Sequence, residues 1–244
     1  MAIVKLLQWN VWYHEKYENV VEFLGQAGAD VICLQELTEQ NEISLPELIA
    51  KELGYNFYFE PTVVEGTENT KFVMGNAVLS KFPIVKRRSV LVQKNDPGSE
   101  SYETEDRRYV EVVLDIGKTK FTVGTVHLSY SHEFSINQRK LAEAHELYKA
   151  IKSHKKNFIL TGDLNATPES SIIQALSYKL RHAGPGLDKP TWTTKPFSYN
   201  GFIAKELNWR LDYVFTSPDV NVRSAKILKT KYSDHLPIMV SILV

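Results

Sequence analysis

Apolar and β-branched residues recur along the chain in short runs that favour β-strands. Residues 109–116 carry apolar side chains at every second position, and the turn Gly117-Lys118 leads into another apolar run over 120–128. This pattern predicts a β-hairpin. Further strands are predicted over residues 3–10, 30–35, 55–64, 76–80, 85–92, 157–160, 210–216, 225–229 and 238–244.

Four segments carry signals for helices instead. Residues 17–25 repeat apolar positions at helical spacing, and Ser44 with Glu47 forms a capping box that begins a second helix. Residues 136–152 show the clearest helical pattern. Its predicted buried face consists of Leu141, Ala144, Tyr148 and Ile151. Thr167-Pro168 predicts the start of a short fourth helix, because proline is favoured at the first helical position.

Strands and helices intermingle from one end of the chain to the other, without a fixed repeat or a low-complexity stretch. Residues 93–106 and 181–190 are rich in glycine, proline or charge, and we expect them to be surface loops. The order of elements predicts an α/β fold of packed sheets flanked by helices. We expect residues 1–244 to form one domain.

The composition narrows the classes of partner. Of the residues, 43% are hydrophobic, and 29 basic residues balance 29 acidic ones. The chain therefore lacks the overall positive charge of many nucleic-acid-binding proteins, so binding would depend on a local patch. The single cysteine, Cys33, lies in an apolar run, and we expect it to be a buried hydrophobic residue.

No apolar run approaches the roughly 18 residues needed to cross a bilayer. The N-terminal residues enter a predicted strand directly, without the pattern of a signal peptide. A cytoplasmic protein is therefore expected.

Polar side chains lie where the predicted strands end. They are Asn10, Glu36, His127, Asp163, Asn165, Asp212, Asp234 and His235. A carboxylate beside a sheet is costly unless it is paired or binds a metal, so this pattern indicates one shared polar pocket. Oxygen ligands such as Glu36 and Asp234 suit Mg²⁺ or Mn²⁺, and histidines suit proton transfer or contact with an oxyanion.

Other common catalytic patterns are missing. The sequence has no phosphate-binding P-loop and no Cys-x-x-Cys or His-Glu-x-x-His zinc pattern. It also has no Gly-x-Ser-x-Gly nucleophile elbow, which argues against a serine hydrolase.

Seven short motifs, taken in order, carry a resemblance that spans nearly the whole chain. They are Gln8-Trp9-Asn10-Val11, Leu34-Gln35-Glu36, residues 75–83 (GNAVLSKFP), Thr125-Val126-His127-Leu128, Gly162-Asp163-Leu164-Asn165, residues 209–213 (WRLDY) and Ser233-Asp234-His235. Together they resemble the endonuclease/exonuclease/phosphatase superfamily. The resemblance implies a DNase I-like sandwich of two mixed β-sheets with helices outside.

The resemblance also implies roles around a metal and a water. Glu36 would be the principal metal ligand, and Asp234 a further ligand or a residue behind it. Asn10 would assist at the metal or at the scissile phosphate. Asp163 would orient or deprotonate the attacking water, with Asn165 beside it on the phosphate.

Two histidines complete the implied site. His235 would contact the phosphoryl oxygens and be held by Asp212 through a hydrogen bond, which should raise its pKa. His127 would stabilise the pentacovalent transition state.

The motifs leave the branch of the superfamily open. Residues 208–213 resemble those of exonuclease III-type enzymes, but His127-Leu128-Ser129 stands where apurinic endonucleases carry Tyr-x-Pro-Asn. His127-Leu128 and residues 75–80 look more like tyrosyl-DNA phosphodiesterases and sphingomyelinases.

The leading hypothesis is a monomeric Mg²⁺- or Mn²⁺-dependent phosphodiesterase or nuclease acting on DNA, at 5′ or blocked ends, as in DNA repair. A lipid or small-molecule phosphoesterase is the alternative, and a catalytically dead scaffold is a third. Trp12 and Tyr13 could line a substrate groove or pack in the core. We interpret Lys86-Arg87-Arg88 and Arg107-Arg108 as solvated charge runs.

Overall fold

Two mixed β-sheets pack face to face, and helices cover their outer faces. The computed structural model describes residues 2–40, 43–66, 72–95 and 105–244. The predicted four-layer α/β sandwich is confirmed.

The first sheet has the strand order β14-β15-β1-β2-β5-β4, with β3 paired to β2. β1 and β2 run parallel, and the other pairs are antiparallel. Its strands are β1 (Ile3–Asn10), β2 (Val31–Gln40), β3 (Ile43–Ser44), β4 (Asn56–Glu65), β5 (Phe72–Ser80), β14 (Asn221–Ile227) and β15 (Ile238–Leu243).

The second sheet has the order β10-β13-β9-β8-β7-β6, and only β8 and β9 run parallel in it. Its strands are β6 (Ile84–Gln93), β7 (Arg107–Ile116), β8 (Thr119–His127), β9 (Phe158–Asp163), β10 (Arg181–His182) and β13 (Asp212–Thr216). β11 (Phe197–Tyr199) and β12 (Phe202–Ala204) form a separate small hairpin.

Three apolar clusters hold the layers together. The central cluster joins the facing sides of the two sheets, through residues such as Val31, Val78 and Val112. A second cluster packs α1 (Tyr17–Ala27) and α2 (Leu45–Leu53) on the first sheet. A third packs α3 (Gln138–Ile151) and α4 (Ser171–Lys179) on the second sheet. Burial of this apolar surface is the main force that fixes the layers.

Most predicted elements are confirmed, with shifted ends. The β7–β8 hairpin forms around a two-residue turn in which Gly117 has a φ of 66°, the positive value that such turns require. Ser44 caps α2 by accepting from the backbone nitrogen of Glu47 at 3.4 Å. Cys33 is buried, as predicted.

Several predictions about helices and loops were wrong. The last helix begins at Ser171, because Ser170 rather than Thr167 supplies the capping oxygen. Residues 181–182 form strand β10 within a predicted loop. The predicted face of α3 is buried at Ile151 and partly buried at Ala144, but Leu141 and Tyr148 are 40% and 42% exposed. Residues 96–104 of the other predicted loop lie outside the described residues.

Within the described ranges, no helix combines the length and the apolar character that a membrane crossing would require.

Candidate active site

The second sheet brings three of the predicted site residues into one row. His127 lies opposite Asp163 in the parallel β8–β9 pair, and Asp212 lies opposite Asp163 in the antiparallel β9–β13 pair. Three neighbouring strands therefore bring polar side chains to the same edge of the sheet. Gly162 allows this close approach, because a Cβ atom there would lie 2.1 Å from the carbonyl oxygen of Val126.

The first sheet contributes Asn10 and Glu36. β1 and β2 pair with Asn10 opposite Gln35, and the pairing of β2 with β5 shifts register between Leu34 and Leu37. Glu36 lies in this bulge with a φ of 59°, a costly value for a residue other than glycine. Bulges re-aim side chains, and this one directs the Glu36 carboxylate towards Asn10.

The loop before β15 adds Asp234 and His235. Ser233 Oγ donates to the carbonyl oxygen of Asn10 at 2.7 Å and accepts from the backbone nitrogen of His235 at 2.9 Å. The indole Nε1 of Trp192 donates to Asp234 Oδ2 at 2.9 Å. These bonds fix the loop against the end of β1.

Asp163 lies at the centre of the assembled groups. Its Oδ2 accepts from Asn10 Nδ2 at 3.1 Å, and the Nε2 atoms of His127 and His235 each lie 3.5 Å from the same oxygen. Its Oδ1 accepts from the backbone nitrogen of Asn165 at 2.9 Å. Both sheets and the loop before β15 thus meet at one carboxylate.

Asn10 connects the two sheets. Its Nδ2 donates to Glu36 Oε1 at 2.8 Å as well as to Asp163. Its Oδ1 accepts from the backbone nitrogen of Trp12 at 3.0 Å, and Glu36 Oε2 accepts from the backbone nitrogen of Tyr13 at 3.2 Å. The aromatic loop after β1 is therefore held by the site residues themselves.

Asp212 and His235 form the predicted hydrogen-bonded pair, with His235 Nδ1 2.8 Å from Asp212 Oδ2. The other oxygen, Oδ1, accepts from Gln8 Nε2 at 2.7 Å. Gln8 lies in the same strand as Asn10, and its role was missed because an isolated glutamine in a strand carries no catalytic pattern.

The amide nitrogen of Asn165 has two partners. Its Nδ2 donates to the carbonyl oxygen of Leu128 at 2.9 Å and lies 3.1 Å from His127 Nε2. An amide nitrogen can only donate, so the His127 Nε2 atom accepts here and the imidazole is neutral. The implied contact of Asn165 with a phosphate would require it to release one of these partners.

A cavity of about 360 Å³ opens above these groups. Six of the eight predicted residues line it, while Asn10 and Asp212 lie buried behind them. Aromatic side chains form much of the rest of its wall: Trp12, Tyr13, Tyr130, Phe134, Trp192 and Phe197.

The sequence profile of the Endonuclease/Exonuclease/phosphatase family matches residues 7–235, which is most of the chain and includes every predicted site residue. This chain belongs to that family. Members of the Endonuclease/Exonuclease/phosphatase family hydrolyse phosphoester bonds and generally use a divalent metal. The resemblance drawn from the motifs is thereby confirmed.

Known proteins of the family differ widely from this chain in sequence. The CCR4-NOT transcription complex subunit 6-like-B of Xenopus laevis is 23% identical over 214 residues, a match that covers 69% of this chain and 38% of that protein. The chain thus spans well under half the length of this curated relative.

Solved structures share the fold over the whole chain. A family member from Beutenbergia cavernae superposes with a TM-score of 0.75 at 20% identity, covering 99% of this chain and 72% of that one. A humanized Danio rerio TDP2 superposes with a TM-score of 0.70 at 16% identity, covering 99% of both chains.

The carboxylates of this family member carry excess negative charge. Burial, followed by the charge of Asp234, raises the pKa of Glu36 to about 7. Burial also raises the pKa of Asp163 to about 6, with the charge of Asp212 adding to the effect and His235 opposing it. Such shifts indicate a site built to receive positive charge.

The pKa values of the two histidines shift in opposite directions. Burial and the positive charges of Arg107, His235 and Lys140 hold the pKa of His127 well below its ordinary value. Burial also disfavours charge on His235, but the carboxylates around it, above all Asp212, outweigh burial and raise its pKa well above the ordinary value. These shifts favour the charged form of His235 and the neutral form of His127.

The donor set fits a hard divalent cation. Among the described residues, one group of three ligand-type side chains has its atoms within 4.8 Å of one another: Asp163, Asp212 and His235. Within this group, His235 Nδ1 already lies 2.8 Å from Asp212 Oδ2. Glu36, a half-buried carboxylate that faces the cavity with a raised pKa, fits a metal ligand better.

The prediction for one arginine was wrong. Arg107 is 3% exposed and lines the cavity rather than lying in a solvated run. Arg210 is also 3% exposed, and it donates to backbone carbonyl oxygens, including those of Asp212 and Lys189 at 2.7 and 2.8 Å. An alternating strand pattern would have indicated whether Arg107 or Arg108 points inwards, but both residues precede the predicted start of the strand at residue 109.

Proposed function

We propose that this protein is a Mg²⁺- or Mn²⁺-dependent hydrolase of phosphodiester bonds in DNA that acts near strand ends. The observation that carries the proposal is the convergence of Asn10, His127 and His235 on Asp163 Oδ2, beside the Glu36 carboxylate and inside an aromatic cavity. That arrangement combines a base, a cationic donor and a metal ligand at one point.

Asp163 acts as the general base in this proposal. Its raised pKa of about 6 leaves it ionised at neutral pH yet basic enough to accept a proton from water. Asn10 and the backbone nitrogen of Asn165 fix the orientation of its two oxygens.

His235 stabilises the developing charge on the phosphoryl group. Asp212 holds its Nδ1, so its protonated Nε2 faces Asp163 Oδ2 and the cavity. A non-bridging phosphoryl oxygen placed there would accept a charge-assisted hydrogen bond. His127 lies on the other side of Asp163, and the negative charge of a bound phosphate would favour its protonation.

Glu36 and Asp234, which both line the cavity, would hold the divalent ion. When bound, that ion would neutralise charge on the phosphoryl oxygens and so make the phosphorus more susceptible to attack by water. Trp192 keeps Asp234 oriented through its indole nitrogen.

Aromatic side chains around the cavity support a nucleic-acid substrate. Trp12 and Tyr13 follow β1 on one wall, and Tyr130 and Phe197 belong to other walls. Stacking on such side chains binds bases in single strands regardless of sequence. A lipid enzyme would need an apolar rim, and among the described residues that line this cavity Tyr13 alone is an exposed large hydrophobic residue.

The distribution of positive charge favours a strand end over a long duplex. Arg107 is the one arginine or lysine among the described residues that line the cavity. Residues 86–88 lie on β6 and do not line it: Arg87 packs over the Tyr58 ring, and Arg88 bonds to the carbonyl oxygen of Ala150. The proposal therefore does not include a long row of lysine and arginine residues that would bind the backbone of a duplex.

We expect Arg107→Met to raise KM for a DNA substrate about tenfold or more while kcat changes little, because the guanidinium would bind phosphate in the ground state as well as in the transition state. Its Nε has no hydrogen-bond partner among the described residues, although its Nη1 lies 3.1 Å from Glu105. Steady-state kinetics on a short oligonucleotide would measure the change.

The neighbouring residue provides the control. Arg108 pairs with Glu60 at 3.3 Å and does not line the cavity, so Arg108→Met should leave KM unchanged. Equal KM values for the two variants would contradict the role given to Arg107.

We expect EDTA to abolish hydrolysis and added Mg²⁺ or Mn²⁺ to restore it. In Glu36→Gln, the concentration of metal needed for half-maximal activity should rise about tenfold or more, because one anionic ligand is lost. Activity that persists in EDTA would remove the metal from the proposal.

A substrate panel tests the activity itself. It would include single-stranded DNA, duplex DNA, abasic duplex, 5′-phosphotyrosyl DNA, single-stranded RNA and sphingomyelin, each with Asp163→Asn as control. Cleavage of a DNA member that disappears in the control supports the proposal. Turnover of sphingomyelin or RNA alone would replace DNA as the substrate, and no turnover would return the protein to the scaffold hypothesis.

A further inference from the structure

Two charged side chains are buried on the face of α3 that packs against the second sheet. Lys140 is 1% exposed and Glu143 is 0% exposed. Burying such charges costs several kcal/mol unless each finds strong partners, and apolar residues would fill the same space at less cost. Burial lowers the pKa of Lys140 to about 8, because it is costly to bury the charged form of the side chain.

Each charge binds a loop that carries site residues. Lys140 Nζ donates to the backbone carbonyl oxygen of Asn165 and to Ser131 Oγ, the latter at 3.0 Å. Glu143 accepts from the backbone nitrogen of Ser129 at 2.9 Å and from the Ser129 hydroxyl. The pair therefore connects the segment after β9 to the segment after β8.

These bonds close a ring through the site. Asn165 donates from its side chain to the carbonyl oxygen of Leu128 and to His127, and Glu143 binds Ser129, the residue after Leu128. Asn165 has a φ of 46°, a left-handed value that is uncommon outside glycine and that asparagine tolerates better than most residues. Lys140 binds the carbonyl group of that residue.

We propose that Lys140 and Glu143 are positioning residues, which hold Asn165 and the His127 loop in the arrangement that hydrolysis requires. The proposal rests on the proposed function of the site, because its importance for rate depends on that chemistry. Neither side chain lines the cavity, so they act through the residues that they bind and not on the substrate.

Lys140→Met removes the donor while keeping the length of the side chain. We expect kcat to fall about tenfold or more with KM within about twofold, since misplacement of catalytic groups by about 1 Å is costly to rate. Lys149→Met is the matched control, because Lys149 lies on the same helix with an exposed side chain paired to Glu146. It should leave kcat unchanged.

A stability control distinguishes a positioning role of Lys140 from a purely structural one. Leu176→Ala opens a cavity in the same outer layer at a residue that does not line the active-site cavity, and should lower Tm while kcat well below Tm stays at the wild-type value. If Lys140→Met loses Tm to the same extent but keeps wild-type kcat, the positioning role is overturned.

Hydrogen exchange without substrate keeps this test independent of the proposed function. Lys140→Met should speed exchange of the backbone amides of Ser129 and Asn165 by about tenfold or more, while those of β7 stay protected. Unchanged exchange at both amides would overturn the proposal even if the wild type proves inactive on every substrate. Wild-type inactivity with faster exchange would instead retain the positioning role and reject the proposed function.

A second pair of variants guards against failure to fold. Glu143→Gln keeps an oxygen for the Ser129 backbone nitrogen, whereas Glu143→Leu does not. We expect Glu143→Leu to lose at least about threefold more kcat than Glu143→Gln. Equal rates in the two variants would contradict the proposal.

Discussion

Asp163→Asn is expected to lower kcat by at least about 100-fold, because the amide cannot accept a proton from the attacking water. The substitution keeps the shape of the side chain and an oxygen for the backbone nitrogen of Asn165. Its effect should therefore fall on the chemical step, with little change in Tm. Single-turnover kinetics on the best DNA substrate of the panel would measure it.

A distant aspartate supplies the control for this substitution. Asp219 accepts from the backbone nitrogen of Asn157 at 2.9 Å, outside the cavity, so Asp219→Asn should keep full activity. Near-wild-type turnover in Asp163→Asn would contradict the assignment of this residue as the base.

His235→Ala is likewise expected to lower kcat by at least about 100-fold, since it removes a cationic hydrogen-bond donor from the phosphoryl group. Asp212→Asn should give a smaller loss and a different pH dependence. Asp212 raises the pKa of His235, so its removal lowers that pKa. Activity carried by protonated His235 should then decline with rising pH at a lower pH than in the wild type.

His145→Ala is the matched control, because His145 is an exposed residue on α3 that does not line the cavity. It should keep both the wild-type rate and the wild-type pH profile. If His235→Ala keeps substantial activity, or if the profile of Asp212→Asn does not move, the proposed donor role is wrong.

The chemistry-bearing residues could be predicted because they follow or begin strands with clear apolar patterns. Strands β1, β8 and β9 each carry several apolar or β-branched residues before a polar residue at the end, so that polar residue stands out. The structure brings all eight predicted residues together. Their individual roles remain predictions.

The pattern of α3 was misleading for a physical reason. A periodicity argument assumes that apolar side chains are the buried ones. Here the polar loops beneath the helix need hydrogen-bond partners, so Lys140 and Glu143 face inwards. Leu141 and Tyr148 are left partly exposed beside α4. Sequence spacing alone does not indicate where a loop lies beneath a helix.

Tertiary geometry also decided the positions of Glu36 and Arg107. The bulge that turns Glu36 into the cavity arises from the pairing of β2 with β5, which local sequence does not specify. Arg107 is adjacent to Arg108 in sequence, but successive residues of a strand point to opposite faces. Which of the two faces the site depended on the register of β7.

The site spans the seam between the two sheets, with Asn10 bridging Glu36 on one side and Asp163 on the other. The spacing between the two sheets therefore sets the distance between the two halves of the site. Val78 and Val112 help to set this spacing from the central cluster, although neither lines the cavity. Substitutions that change the volume of the central core would alter this spacing and lower activity before they unfold the protein. We therefore expect activity to tolerate fewer substitutions in this core than folding does.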